Sequence, residues 1–137
     1  MEMTFDKPTP ATTKSAAVWS GRMLSGLAVA FLTLDGVMKL VPLSVVTDTM
    51  AQLGWSADIA TARLLGVLTL GATLLYALPR TAVVGAILLT GYLGGAVATH
   101  VRIESPLFSH VLFGVYLGAM LWGGLWLRDQ RVRALFG

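Results

Sequence analysis

Four stretches of about twenty mainly apolar residues, parted by short polar or proline-bearing connections, dominate this chain: residues 18–40, 58–78, 81–101 and 107–127. An α-helix rises about 1.5 Å per residue, so each stretch is long enough to cross a hydrocarbon layer of ~30 Å. No water satisfies backbone amides inside that layer, which leaves helix as the conformation for runs of this length. Composition agrees. Of 137 residues, 55% are hydrophobic and only 12% charged, and the mean hydropathy is +0.75. A soluble domain this small cannot usually bury so much apolar surface. The expected fold class is therefore all-α, an integral membrane four-helix bundle. Disorder, a nucleic-acid-binding tail and a routine soluble enzyme are excluded on the same grounds. The chain has no cysteine, which excludes disulfides, thiolate metal sites and a cysteine nucleophile.

The expected organisation is a flexible cytoplasmic tail over 1–15, a transmembrane domain over 16–129 and a basic cytoplasmic tail over 130–137. The first apolar run is too long, and lacks the small-residue cleavage pattern, for a signal peptide. Pro42 is expected to stop the first span. Ser56 or Asp58 caps the second, which ends before Pro79. The four-residue link Leu78-Pro79-Arg80-Thr81 makes the second and third spans antiparallel neighbours. Between the first and second, Leu43, Val46, Met50 and Leu53 recur at helical spacing, which predicts a short amphipathic helix in the membrane interface. Lys7, Lys14, Arg22, Arg80, Arg128, Arg131 and Arg133 fall on one side of the membrane, against Lys39 and Arg102 on the other. The positive-inside rule then places both termini in the cytoplasm.

This topology sends polar side chains from all four spans to the outer end. Asp35 and Lys39 are four apart on one face of the first span. Arg63 lies about one turn into the second. Tyr92, Thr99 and His100 belong to the third, Glu104 to the following loop and His110 to the first turn of the fourth. A lone charge at a helix centre costs roughly 2.5–3.5 kcal/mol, so a convergent set predicts mutual pairing around a polar cavity. Asp35, His100 and His110 are the candidate acid–base residues. Lys39, Arg63, Tyr92, Thr99 and Glu104 are the candidate ligand-binding residues. Each has a plainer reading. Asp35 pairs with Lys39 or Arg63 and locks two helices, Lys39 snorkels, the histidines are interfacial hydrogen-bonded groups and Tyr92 is a packing aromatic. No metal site is assigned, because the histidines lie on different helices and lack a metalloprotease spacing. Gly91 with Gly95, and Gly114 with Gly118, are expected to let helices approach closely, within the bundle or in a homo-oligomer.

Taken together, Asp35-Gly36-Val37-Met38-Lys39-Leu40, Arg63-Leu64-Leu65-Gly66, Gly95-Ala96-Val97-Ala98-Thr99-His100, His110-Val111-Leu112-Phe113 and Leu121 to Asp129 resemble the DoxX-like family of small bacterial membrane proteins. The resemblance runs from Trp19 to Asp129. It implies a four-helix domain in the cytoplasmic (inner) membrane of a bacterium and, through related branches, an association with quinone-linked sulfur oxidation and membrane redox complexes. A thiol–disulfide role is inconsistent with the absence of cysteine. Sterol isomerases offer an architectural analogy only.

Three functions follow as expectations. The first is binding of a lipophilic small molecule, for example a quinone, in the outer cavity, as a redox accessory subunit with a membrane redox partner. The second is a membrane-embedded acid–base enzyme in which Asp35 and His100 or His110 isomerise a double bond, open an epoxide or close a ring. The third is a structural subunit of a membrane complex. No nucleic-acid partner is expected, since the basic residues flank the spans.

Overall fold

The computed structural model describes residues 10–41 and 43–137. Pro42 and residues 1–9 of the expected tail lie outside the described residues. The elements are α1 (Pro10–Leu40), α2 (Ser44–Gln52), α3 (Ile59–Ala77), α4 (Ala82–Arg102), a π-helical turn (Leu107–Val111), α5 (Phe113–Arg128) and α6 (Gln130–Leu135). Four segments are long and apolar enough to span a bilayer: Lys14–Leu40, Ile59–Ala77, Ala82–Arg102 and Leu107–Arg128. Among the described residues there is no strand. The all-α bundle and the short helix between the first two spans both match expectation. Two boundaries differ. The first helix begins at Pro10, within the stretch expected to be a tail, and the residues after 129 form a helix.

Helix α1 packs on α3 and α5, and α4 packs on the same two, so α1 and α4 lie diagonally across the bundle. The core between them is made of Leu32, Tyr76, Leu89, Leu121 and Leu125, all fully buried. Outward faces are equally apolar: Leu27, Leu64, Leu74, Ile87 and Val115 are exposed, as a lipid solvent requires.

Glycines set the closest approaches, though mostly not the expected ones. A Cβ on Gly21 would stand 2.7 Å from the Gly124 carbonyl oxygen, and one on Gly66 would stand 2.8 Å from that of Gly36. Gly85 faces the Tyr76 backbone still more closely. These contacts join α1 to α5, α1 to α3 and α3 to α4. Of the two expected glycine pairs, only Gly114 is at a tight contact, against Val97 and the Leu93 carbonyl of α4. Gly91, Gly95 and Gly118 meet nothing within 4 Å.

The termini end of the bundle, formed by the first turns of α1 and the last turns of α5, is fixed by buried polar bonds. The Tyr76 hydroxyl donates to the Leu121 carbonyl (2.6 Å) and bonds Ser25 Oγ (2.8 Å). At the opposite end, the start of α3, lies α2.

Candidate functional site

The α2 end is hollow. A cleft of about 590 Å³ opens between α1, α2, α4 and the start of α5. Most of its wall is apolar. Phe31 and Phe113 form one side, in edge-to-face contact with ring centres 5.1 Å apart. Gly91, Gly95 and Ala96 form the α4 wall, which is thin because those side chains are absent or minimal. The face of α2 supplies Val46, Thr49, Met50 and Leu53. Met50 is buried and Leu43, at the start of the same predicted face, is exposed.

Helix α2 is held across the cleft by its C-terminal end. Arg102 Nη2, from the last turn of α4, donates to the Leu53 carbonyl (2.9 Å). Gly54 follows with φ +76°, a left-handed conformation that favours glycine, and a Cβ there would meet Arg102 Nη2 at 2.6 Å. The apolar face of the expected amphipathic helix α2 thus forms a docked wall of the cleft.

Six of the eight candidate residues line this cleft: Asp35, Lys39, Tyr92, Thr99, His100 and His110. Lys39 Nζ donates to Asp35 Oδ2. The same ammonium lies 5.6 Å from the centre of the Tyr92 ring, a cation–π distance. The two imidazoles come together edge to face, with centres 5.7 Å apart. His100 Nδ1 is paired with Ser105 Oγ (3.0 Å) and His110 Nδ1 with Ser109 Oγ (2.7 Å). Each serine occupies one ring nitrogen, so the hydrogen-bonding capacity of Nε2 is left for other groups. The Thr99 hydroxyl is turned back to the Gly95 carbonyl (2.9 Å), which reduces what it can offer a ligand.

His110 sits in the π-helical turn. Both His110 N and Val111 N donate to the Pro106 carbonyl (3.1 and 3.2 Å). The wider turn changes the direction of the side chains it carries, and such turns are frequent at functional sites.

Arg63 and Glu104 are not among the residues lining the cleft, contrary to expectation. On α3 the buried face is Ala62, Gly66, Thr69, Ala72, Thr73 and Tyr76. Arg63 is one residue round from Ala62, about 100° away on a helix, and is exposed. Asp35 therefore pairs with Lys39, within its own helix, and this bond locks no two helices together. Glu104 ends α4 with φ 55°, a left-handed residue just past the helix, and its side chain is exposed. The cleft also recruits groups not singled out from the sequence, chiefly Thr49 and Trp55. Thr49 is one residue from Met50 on α2. Its place in the wall depends on how α2 docks, which helical periodicity does not specify.

The arrangement can hold an elongated amphiphile. Its volume falls in the range of small-molecule sites, roughly 300–1,000 Å³, which combine apolar walls with a few placed polar groups. One cation, one carboxylate, a phenol and two imidazoles supply donors and acceptors for a polar head.

Comparison with curated proteins and with solved structures gives no match. The family model of the DoxX-like family matches residues 23–124, which include all six cleft-lining candidates. With most of its length matched and four helices long and apolar enough to span a bilayer, the chain belongs to the DoxX-like family and is an integral membrane protein.

Proposed function

We propose that this protein binds a lipophilic small molecule in the α2-end cleft, with the polar head toward Lys39, Tyr92 and the histidine pair and the apolar body along the α4 glycine wall. The observation that carries the reading is the convergence of six candidate polar side chains on one largely apolar cleft of about 590 Å³. The Asp35–Lys39 pair supports it, because an intrahelical pair facing a cleft does no work of joining helices. A quinone suits the site, since its carbonyl oxygens accept from Lys39, Tyr92 and an imidazole. The protein then acts as an accessory subunit that holds a quinone for a membrane redox partner. The excess of basic residues at the termini end favours cytoplasmic termini and a cleft at the outer side of a bacterial inner membrane.

The test is mass analysis of small molecules that co-purify with the full chain, beside Gly95→Leu. Nothing lies within 4 Å of a Cβ at Gly95, so the leucine enters the cleft without displacing backbone. A lipophilic species other than bulk phospholipid is expected in wild type and is lost from Gly95→Leu. Identical extracts from both would overturn the reading.

A second reading draws on the same cleft holding a carboxylate and two imidazoles, the residue types of acid–base catalysis. On this reading Asp35 and His100 or His110 shuttle protons in an isomerisation, epoxide opening or cyclisation of a hydrophobic substrate. Turnover of such substrates that falls in both Asp35→Asn and His100→Ala would favour it over simple binding.

A further inference from the structure

A second pocket, of about 230 Å³, lies at the termini end, away from the α2-end cleft. Arg22, Ser25, Gly26 and Val29 line it from α1, Tyr76 and Ala77 from the end of α3, and Arg128 from the last turn of α5. Its base is rigid. Arg128 Nε donates to Ser25 Oγ (3.1 Å) and Nη2 to the Tyr76 carbonyl (3.3 Å), while the guanidinium lies 5.2 Å from the centre of the Tyr76 ring. Among the described residues, the groups that hold Arg128 are therefore all neutral. Arg22 is exposed, 5.6 Å from the Trp19 ring centre. Among the described residues neither guanidinium makes an ion pair. Asp129, next to Arg128 in sequence, is engaged by Arg131 instead.

The pocket's level in the membrane indicates what neutralises this charge. Gly21 packs against Gly124 and the Arg128 backbone, so Arg22 is level with the end of α5. Tyr76 and Ala77 are the last residues of α3. Two spans, α3 and α5, thus end around the pocket while α1 runs past it, which sets it near the depth where headgroups meet acyl chains. On the neighbouring stretch of α1, Trp19, Met23 and Leu27 are largely exposed, and a Cβ on Gly26 would meet nothing within 4 Å.

We propose that Arg22 and Arg128 bind the phosphate of an anionic phospholipid, with an acyl chain descending past Gly26. Guanidinium groups bind phosphate oxygens in a bidentate fashion, and basic pockets between spans are headgroup sites. The site is independent of the α2-end cleft.

The test is native mass spectrometry of the full chain reconstituted with equal amounts of phosphatidylglycerol and phosphatidylcholine. Wild type retains phosphatidylglycerol selectively. Arg22→Gln lowers that retention about fivefold, the effect of one basic residue near an anionic surface. Gly26→Leu lowers it by obstructing the groove, and Arg80→Gln, which removes an exposed charge outside the pocket, leaves it unchanged. Thermal unfolding in detergent verifies that every variant is folded. Equal retention of the two lipids by wild type would overturn the proposal. So would equal losses in Arg22→Gln and Arg80→Gln, which signify diffuse attraction, or displacement of the lipid by inorganic phosphate with Gly26→Leu unaffected.

Discussion

Replacing Asp35 by Asn separates the cost of breaking the pair in the cleft from the value of the pair to a ligand. The substitution keeps shape and leaves Lys39 without its anion. An exposed i,i+4 ion pair contributes only about 0.3–0.5 kcal/mol, whereas removing one partner of a fully buried pair costs about 3–5 kcal/mol. Here the side chains are 19% exposed for Lys39 and 33% for Asp35, between those limits but nearer the buried one. The Tyr92 ring still faces the ammonium and offsets ~0.5–1 kcal/mol. The expected loss is therefore about 1–2 kcal/mol, or roughly tenfold in the folding equilibrium. Asp35→Asn combined with Lys39→Met removes both charges and recovers stability to within ~0.5 kcal/mol of wild type, because no uncompensated ion is left. Unfolding in mixed micelles, titrated with denaturing detergent, measures all three proteins. If Asp35→Asn is as stable as wild type, or the double variant as unstable as the single one, the reasoning fails. Mass analysis of the same preparations adds the functional arm: the double variant is expected to fold yet lose the co-purifying lipophile.

The glycines give a paired contrast. Gly85→Ala drives a Cβ into the Tyr76 backbone and is expected to destabilise by about 1–3 kcal/mol, while Gly118→Ala, in open space, is neutral or stabilising; thermal unfolding of both in detergent checks the sign. Asp129 caps α6 through Arg131 N (2.9 Å), and its side-chain bond to Arg131 holds the carboxyl below its ordinary value. A depressed carboxyl contributes stability that is present above the unfolded value and lost as pH falls through the folded one. The protection of amides 130–135, taken relative to the intrinsic exchange rate at each pH, is therefore expected to be highest at neutral pH and to fall in acid; Asp129→Asn, which has no charge to lose, is expected to show a flatter profile of protection against pH.

The features legible in the sequence are those set by length and depth. Span lengths follow from the hydrocarbon thickness, the tight turn at Leu78–Thr81 from Pro79, and α2 from the period of Val46, Met50 and Leu53. Depth also brought Asp35, Lys39, Tyr92, Thr99, His100 and His110 to one level. Direction around the helix axis was harder to read, and Arg63 shows why. Its level fits the cleft, but its neighbour Ala62, spaced with Gly66 and Thr69, marks the packed face and leaves Arg63 outside it. Glu104 lies in a connection, where helical periodicity carries no information. Pairing between glycines was likewise hidden: Gly21 meets Gly124 and Gly36 meets Gly66 across helices, and no local spacing records such a match.

The placement of those glycines accounts for the cleft. Gly36 and Gly66 draw α1 onto α3 near the α2 end, and Gly114 draws α5 onto α4 there. Two helix pairs are thereby fixed, while α1 and α4 face each other on the diagonal. On the facing surfaces α4 offers Gly91, Gly95 and Ala96, too small to fill the space, and α1 offers Asp35 and Lys39, too polar to close it by apolar packing. Toward the core the same diagonal is filled by Leu32 and Leu89, both fully buried. The bundle is therefore close-packed through the core and open where glycine and charge replace leucine. That change along α1 and α4, with α2 tethered by Arg102, leaves room for a molecule with an apolar body and a polar end.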